Sequence, residues 1–295
     1  MPKRIHVIIN PAAGQDYPVL SVLNRAFHPA GADWDVFVTK RAGDARRYAE
    51  QAVRAGVDAV AVYGGDGTVM EAAAGLIGTD VPLAIFPGGT ANVISAELGI
   101  PSDLAEACAL VCGRAAAERR IDVGQIGDQY FLIRVGMGFE AQMVQGADRP
   151  LKDRVGPLAY AVAAVQALAE PAVAHYRLTI DGETVEREAM TCIIANAGSF
   201  GTLPLTIAPT IDVGDGLLDV VVVTTADLPG LVHVAASIVA GNEDAAPLQR
   251  WRAREVGVEA DPPQAVQVDG EVWGQTPFTA RVVPQAVRIL VPAIP

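Results

Sequence analysis

Residues 59–71 read Ala-Val-Ala-Val-Tyr-Gly-Gly-Asp-Gly-Thr-Val-Met-Glu, and no other stretch limits the fold so sharply. The first five residues are apolar without a break, the pattern of a strand buried on both faces. Two glycines, an aspartate, a third glycine and a threonine follow, and a helical pattern starts at Val69. Glycines let the backbone turn sharply and come close to a ligand. Free N–H groups at the start of the following helix favour an anion, most often a phosphate. Strand, glycine loop and helix in this order form the phosphate site of many nucleotide-binding folds. Asp66 is the unusual member. A carboxylate beside phosphates is repelled unless a metal ion, a water network or a hydroxyl proton lies between them.

A second turn of the same kind follows. Residues 81–86 read as a strand, Pro87-Gly88-Gly89-Thr90-Ala91-Asn92 as the turn, and residues 93–98 as a short helix. Upstream, 5–9 and 34–39 read as strands and 19–27 and 42–55 as helices; 104–112 reads as a further helix. This βαβα rhythm predicts a mostly parallel sheet with helices on both faces. Ligands of such sheets sit where loops leave the carboxyl ends of the strands. After about residue 120 the texture changes. Strands are expected at 119–123, 129–135, 177–180, 190–195, 218–223, 254–260, 265–268 and 278–283, separated by turn residues such as Asp181-Gly182. That is the pattern of a mostly antiparallel β-sandwich. Helical stretches at 158–170 and 228–240 interrupt it. The expected organisation is an α/β nucleotide-binding domain over 1–120 and a β-sandwich over 121–285.

The 295 residues are 51% hydrophobic and 19% charged, enough for one large domain or two small ones. A mean hydropathy of +0.29 argues against disorder. No apolar run reaches the ~18 residues of a membrane span. The apolar run after Met1-Pro2-Lys3-Arg4 ends at Pro11 and reads as a first strand, not a signal peptide, so a cytoplasmic location is expected. The net charge of −12 opposes strong nucleic-acid binding and attraction to anionic lipid as a whole. Local basic clusters are Lys40, Arg41, Arg46 and Arg47; Arg149, Lys152 and Arg154; and Arg250, Arg252 and Arg254. Each reads as a docking patch or as a solvated face. The three cysteines, Cys108, Cys112 and Cys192, form no disulfide framework, and the four histidines form no zinc pattern.

Asn10-Pro11-Ala12-Ala13-Gly14, Gly64-Gly65-Asp66-Gly67-Thr68, Pro87-Gly88-Gly89-Thr90-Ala91-Asn92, Asp215-Gly216-Leu217-Leu218-Asp219 and Asp269-Gly270-Glu271 occur in this order. With these motifs the chain resembles the diacylglycerol kinase catalytic family, which includes bacterial soluble lipid kinases and sphingosine kinases. The resemblance covers nearly the whole chain. It implies a Rossmann-like first domain of the phosphofructokinase and NAD-kinase kind, to which residues 286–295 return. It implies a second domain that contributes the lipid cleft and the catalytic base, with ATP and Mg2+ as cofactors.

Phosphoryl transfer needs held phosphates, a metal to neutralise charge, and an acceptor hydroxyl in line. Three loops offer backbone amides and threonine hydroxyls to a triphosphate: Asn10, Pro11 and Gly14; Gly64, Gly65, Asp66, Gly67 and Thr68; and Gly88, Gly89, Thr90 and Asn92. The Walker lysine motif is missing, so this is no P-loop kinase. The family's ATP contacts match Thr39, the run from Gly65 to Glu71, and Thr90. The counterpart of Asp66 is required for activity and reaches the magnesium on ATP through water. The counterpart of Glu271 accepts the proton of the lipid hydroxyl, a role that suits a carboxylate as the O–P bond forms. Asp269 joins them in the candidate catalytic set, with the turn or the water network as its expected part. Asp212 and Asp215 straddle a glycine turn, and carboxylates with a backbone carbonyl make a hard-cation site. In bacterial relatives the matching positions bind a second, structural magnesium, with a backbone carbonyl at the Leu217 position.

The same resemblance implies a lipid substrate met at a membrane surface, peripheral attachment at the inner face, and a homodimer, although no interface stripe stands out. Diacylglycerol is the default acceptor; a sphingoid base, a monoacylglycerol or phosphatidylglycerol also fits. NAD kinase is a rival with the same glycine–aspartate motif, but its Asn-Glu signature has only Asn242-Glu243 as a counterpart, in an expected loop. A non-catalytic nucleotide- or lipid-binding regulator would carry damaged acidic motifs, whereas Asp66, Asp215 and Glu271 are all present. Gly136-Met137-Gly138-Phe139-Glu140-Ala141 lacks the βαβ setting of a dinucleotide site, and Gly198-Ser199-Phe200-Gly201 is not a hydrolase elbow.

Overall fold

The computed structural model describes residues 4–14, 17–113, 116–138, 173–201, 203–224 and 248–293. The helices expected at 158–170 and 228–240 lie outside these residues. So do Phe139-Glu140-Ala141, the cluster Arg149, Lys152 and Arg154, and Asn242-Glu243. The chain divides into two compact units. Unit 1 takes the chain up to Asp122, the excursion Ser199–Pro204, and the chain from Gln285 onward; unit 2 takes Val123–Gly198 and Leu205–Pro284.

Unit 1 contains β1 (Arg4–Ile9), α1 (Val19–Phe27), β2 (Asp33–Val38), α2 (Asp44–Ala55), β3 (Ala59–Gly64), α3 (Asp66–Ala74), β4 (Leu83–Pro87), α4 (Val93–Glu97), α5 (Leu104–Val111) and the first part of β5 (Ala116–Ile126). The strands run β2-β1-β3-β4, all parallel. β3 is buried at all six positions, which accounts for its unbroken apolar sequence. β2 lies at the edge and leaves Val36 and Val38 exposed. Strand order reverses between β1 and β3, and such a switch point is where the loops part to leave a crevice. Helix α2 runs between two left-handed glycines, Gly43 and Gly56, and buries Ala45, Ala49 and Ala52. Small residues there let the end of α3 come close. A Cβ on Gly75 would lie 2.6 Å from the Arg46 carbonyl oxygen.

Unit 2 continues through β6 (Gln129–Phe131), β7 (Arg134–Gly138), β8 (Ala174–Ile180), β9 (Glu183–Ala189) and β10 (Thr191–Ala195). A small separate pair, β11 (Ser199–Phe200) and β12 (Leu203–Thr206), precedes β13 (Leu218–Val223), β14 (Leu248–Ala253), β15 (Glu255–Asp261), β16 (Ala265–Val268), β17 (Glu271–Gln275) and β18 (Phe278–Pro292). One antiparallel sheet has the order β14-β13-β10-β7-β16-β17. In the other, β15 pairs with β8 and with the start of β18, and β8 pairs with β9. The inward positions of both sheets, among them Met137, Tyr176, Leu178, Ile194, Val220 and Val256, make one core. β8 shows the pattern plainly, with every second residue buried.

Three expectations need correction in detail. The strand expected at 129–135 divides into β6 and β7, because the amides of Leu132 and Ile133 turn to the Asp269 carboxylate instead of a neighbouring strand. Strands β9, β14 and β17 had no place in the reading of the sequence. The strand expected at 278–283 runs on into the residues expected to return to the first domain, as one strand, β18. Gln285 sits inside it at φ 51, and its amide donates to the buried Asp122 carboxylate at 2.7 Å.

Candidate active site

Three loops meet in unit 1, each at the carboxyl end of a parallel strand. After β1, the Asn10 amide donates to the Tyr63 carbonyl at 2.9 Å. Its side-chain Nδ2 donates to Thr68 Oγ1 at 3.0 Å, and its Oδ1 accepts from the Ala12 amide at 3.0 Å. One asparagine thus ties the first loop to the second. After β4, the Gly88 amide donates to the Gly64 carbonyl at 2.9 Å. Asn92, in the left-handed region, closes this third loop on itself: its Oδ1 accepts from the Gly89 amide at 2.9 Å and its Nδ2 donates to the Gly89 carbonyl at 2.7 Å. The glycines are required by close approach. A Cβ on Gly89 would lie 2.6 Å from the Gly65 Cα, and one on Gly64 would lie 2.6 Å from Thr68 Cβ.

Asp66 opens α3 and accepts the Ile94 amide at 3.2 Å, so it also anchors the first turn of α4. Glu71, one turn further along α3, gives its two oxygens to the amides of Gly43 at 2.8 Å and Ala45 at 3.2 Å, at the start of α2. Thr39 follows β2 and donates its amide to Ile9 at 2.9 Å, next to Asn10. Pro11, Gly14 and Thr90 are exposed. Two residues beside this site were missed by sequence reasoning. Tyr63, next to last in β3, has its ring against two loops: a Cβ on Gly14 would meet its Oη at 2.0 Å, and one on Gly88 would meet its Cζ at 3.0 Å. Burial pushes its phenol above the usual range. A bulky aromatic directly before a glycine pair was the available signal. Asp44 accepts the amides of Lys40 at 2.9 Å and Arg41 at 3.2 Å and pairs with Arg47 at 2.7 Å, shaping the loop that carries Thr39. The Lys40 amide and the Arg47 guanidinium hold its carboxyl below the usual carboxylate range.

In unit 2, Asp269 and Glu271 flank the tight turn between β16 and β17. Asp269 takes a left-handed backbone conformation at φ 47. Its carboxylate accepts three amides, from Leu132 at 2.9 Å, Ile133 at 3.0 Å and Arg134 at 2.9 Å. These three bonds fix the turn. The Gly270 amide donates to Gln267 Oε1 at 2.7 Å. Glu271 begins β17 opposite Val268 and is exposed. A groove of about 520 Å³ elsewhere in unit 2, lined by Thr179, Gly257, Phe278 and Thr279 among others, includes none of the candidate residues.

Around Asp212, two aspartates cap successive turns. Asp212 Oδ1 accepts the Gly214 amide at 2.8 Å, and Asp215 Oδ1 accepts the Leu217 amide at 2.9 Å. The second oxygen of Asp215 pairs with Arg252 Nη2. Asp219, 1% exposed, pairs with Arg250 at 2.6 Å. Burial pushes the Asp219 carboxyl up against the pull of Arg250. Among the described residues no group of three or more histidine, cysteine or acidic side chains is arranged to hold a metal.

Unit 1 gathers glycine loops at the switch point of its parallel sheet, and unit 2 is a β-sandwich; known phosphotransferases share both parts. Residues 4–126 match a diacylglycerol kinase catalytic domain, and residues 133–291 match the YegS C-terminal NAD kinase beta sandwich-like domain. A diacylglycerol kinase of Mycobacterium tuberculosis is 31% identical over 98% of this chain and 95% of its own. An uncharacterized protein of Synechocystis is 33% identical over 97% of this chain and 70% of its own. The crystal structure of a diacylglycerol kinase from Bacillus anthracis superposes with a TM-score of 0.83 at 26% identity, covering 98% of this chain and 97% of that one. The chain belongs to the diacylglycerol kinase catalytic family. It is a kinase that transfers phosphate to a hydroxyl acceptor.

Proposed function

We propose that this kinase takes ATP and magnesium and phosphorylates the free hydroxyl of diacylglycerol to give phosphatidic acid. The observation that carries the donor half is the meeting of the three loops after β1, β3 and β4, with Gly65 against Gly89 and Asn10 bonded to Thr68. Backbone amides in glycine loops hold phosphate oxygens without steric conflict. Magnesium, when bound, neutralises the phosphate charge. Asp66, half-buried at the head of α3, would be the carboxylate of unit 1 to hold it. In the transfer the lipid oxygen bonds to the γ-phosphorus as the bond to the leaving ADP oxygen breaks, and Glu271 takes the hydroxyl proton. Asp269 supports that step by fixing the turn that presents Glu271. The acceptor is read from the relatives named diacylglycerol kinase.

Such an acceptor lies in a membrane. Among the described residues no helix is long and apolar enough to cross one. We therefore read the chain as a peripheral protein working at the inner membrane face, with a homodimer as its expected assembly.

The test is magnesium-dependent transfer of labelled γ-phosphate to diacylglycerol, monoacylglycerol, sphingosine and phosphatidylglycerol in mixed micelles, and to NAD in solution. Asp66→Asn and Glu271→Gln run alongside. Labelled phosphatidic acid, lost in both variants, supports the proposal. A different labelled lipid changes the acceptor alone. Labelled NAD, or ATP binding without transfer to any acceptor, overturns it.

A further inference from the structure

We propose that Arg252 takes the place of the second, structural divalent cation that the family resemblance implies at Asp212, Asp215 and Leu217, so that this turn folds without metal. The inference rests on family membership and not on the identity of the acceptor. A hard-cation site needs several oxygens converging on one point. Here Asp212 Oδ1 is turned to the Gly214 amide and Asp215 Oδ1 to the Leu217 amide. The remaining oxygen of Asp215 meets the Arg252 guanidinium. A divalent ion at Asp215 would face that fixed positive charge, which is not lost at any working pH.

The Arg252 side chain is 45% exposed, and strand β14 holds it at the turn. Arg250 and Arg252 stand two apart on β14 and so share a face. β14 pairs with β13 so that Arg252 lies opposite Asp219. Arg250 Nε donates to Asp219 Oδ1 at 2.7 Å and its Nη1 reaches Thr210 Oγ1 at 2.5 Å. Arg252 meets Asp215 and lies 4.0 Å from Asp219. The two arginines therefore clamp the acidic turn before it at Thr210, within it at Asp215, and after it at Asp219. Two guanidinium charges face two carboxylates there. The backbone amide of Arg254, just past the end of β14, donates to Asp181 at 3.0 Å. Two of the three arginines of this cluster are thus engaged in holding the turn.

The experiment is thermal unfolding of the full chain without nucleotide, after exhaustive EDTA treatment, with and without magnesium or calcium at constant ionic strength. Bound metal is measured by elemental analysis in parallel. The wild type is expected to melt within about 1 °C of the same temperature in both conditions, with no retained metal. Arg252→Gln is expected to melt about 3 °C lower in EDTA and to recover part of that loss when magnesium is added. Adding Asp215→Asn to Arg252→Gln should abolish the recovery. A wild type that gains more than about 3 °C with saturating magnesium, or that keeps one equivalent of metal through EDTA, overturns the proposal. So does an Arg252→Gln protein as stable as wild type in EDTA. Transfer activity plays no part in the readout, so a wrong acceptor leaves this result standing.

Discussion

A Cβ on Gly89 would lie 2.6 Å from the Cα of Gly65, so two loops from different strands touch backbone to backbone. The contacted atom cannot rotate away as a side chain would. Gly89→Ala should therefore part the loops. We expect a stability loss of about 1–3 kcal/mol in urea unfolding and at least tenfold weaker binding of a fluorescent ATP analogue. Gly67→Ala, where nothing lies within 4 Å, should leave stability within about 0.5 kcal/mol.

Gly14 and Tyr63 form a coupled pair. Gly14→Ala meets two penalties: a left-handed backbone at φ 66 and a Cβ 2.0 Å from the Tyr63 hydroxyl oxygen. Tyr63→Phe removes the hydroxyl, the worst of the second penalty, leaving the ring Cζ at 3.1 Å, and it leaves the first untouched. In a double-mutant cycle by urea unfolding, Tyr63→Phe should restore part of what Gly14→Ala loses, leaving a deficit of about 1–2 kcal/mol from backbone strain. Strict additivity of the two changes would show that the hydroxyl is not the obstacle.

Asp269 and Glu271 should separate cleanly by measurement. Asp269→Ala leaves three amides, those of Leu132, Ile133 and Arg134, without their acceptor. A loss of roughly 2–4 kcal/mol in stability is expected. Glu271→Gln, at an exposed position, should stay within about 1 kcal/mol of wild type while transfer falls by two or more orders of magnitude. Equal stability losses in the two variants would contradict this division of roles.

Alkaline pH should loosen the fold. Burial pushes the Cys108 thiol from an ordinary value of 9.0 up to about 12, and it pushes the Tyr176 phenol upward as well. Both are acids whose neutral form is favoured inside the protein. Between the unfolded and folded pKa the native state binds more protons, so stability falls as pH rises. For Cys108 the full contribution is present below about pH 9 and is lost progressively toward pH 12. Each titrating group contributes about 1.4 kcal/mol per pH unit in its window. Urea midpoints should be level from pH 7 to 8.5 and then decline. Cys108→Ala should shift its own midpoint but flatten that decline; an unchanged slope would remove Cys108 from the account.

Much of the first unit was legible because its signals are local. The buried run Ala59–Gly64 announces a central parallel strand, and the glycines after it announce a turn that only small residues allow. The second unit hid more. β9 carries Glu183, Glu186, Arg187 and Glu188 on an outer strand, so no apolar alternation marks it. The break between β6 and β7 depends on Asp269, 136 residues from Ile133, and no local pattern encodes that hydrogen bond. Arg252, 37 residues beyond Asp215, could not be placed against the acidic turn from sequence. Motifs marked the candidate residues. Their partners came from tertiary pairing.

β18 has a consequence for synthesis. Its end lies beside β4, with Ile289 opposite Leu83, yet everything in unit 2 is encoded between them. During translation β4 must wait for its second neighbour while residues 88–284 are added, roughly 10–40 s at typical elongation rates. Throughout that interval the growing polypeptide offers an apolar strand edge to whatever is near the ribosome. The half of the molecule that emerges first is therefore the half completed last, and codon usage or pausing downstream of β4 would bear on its yield.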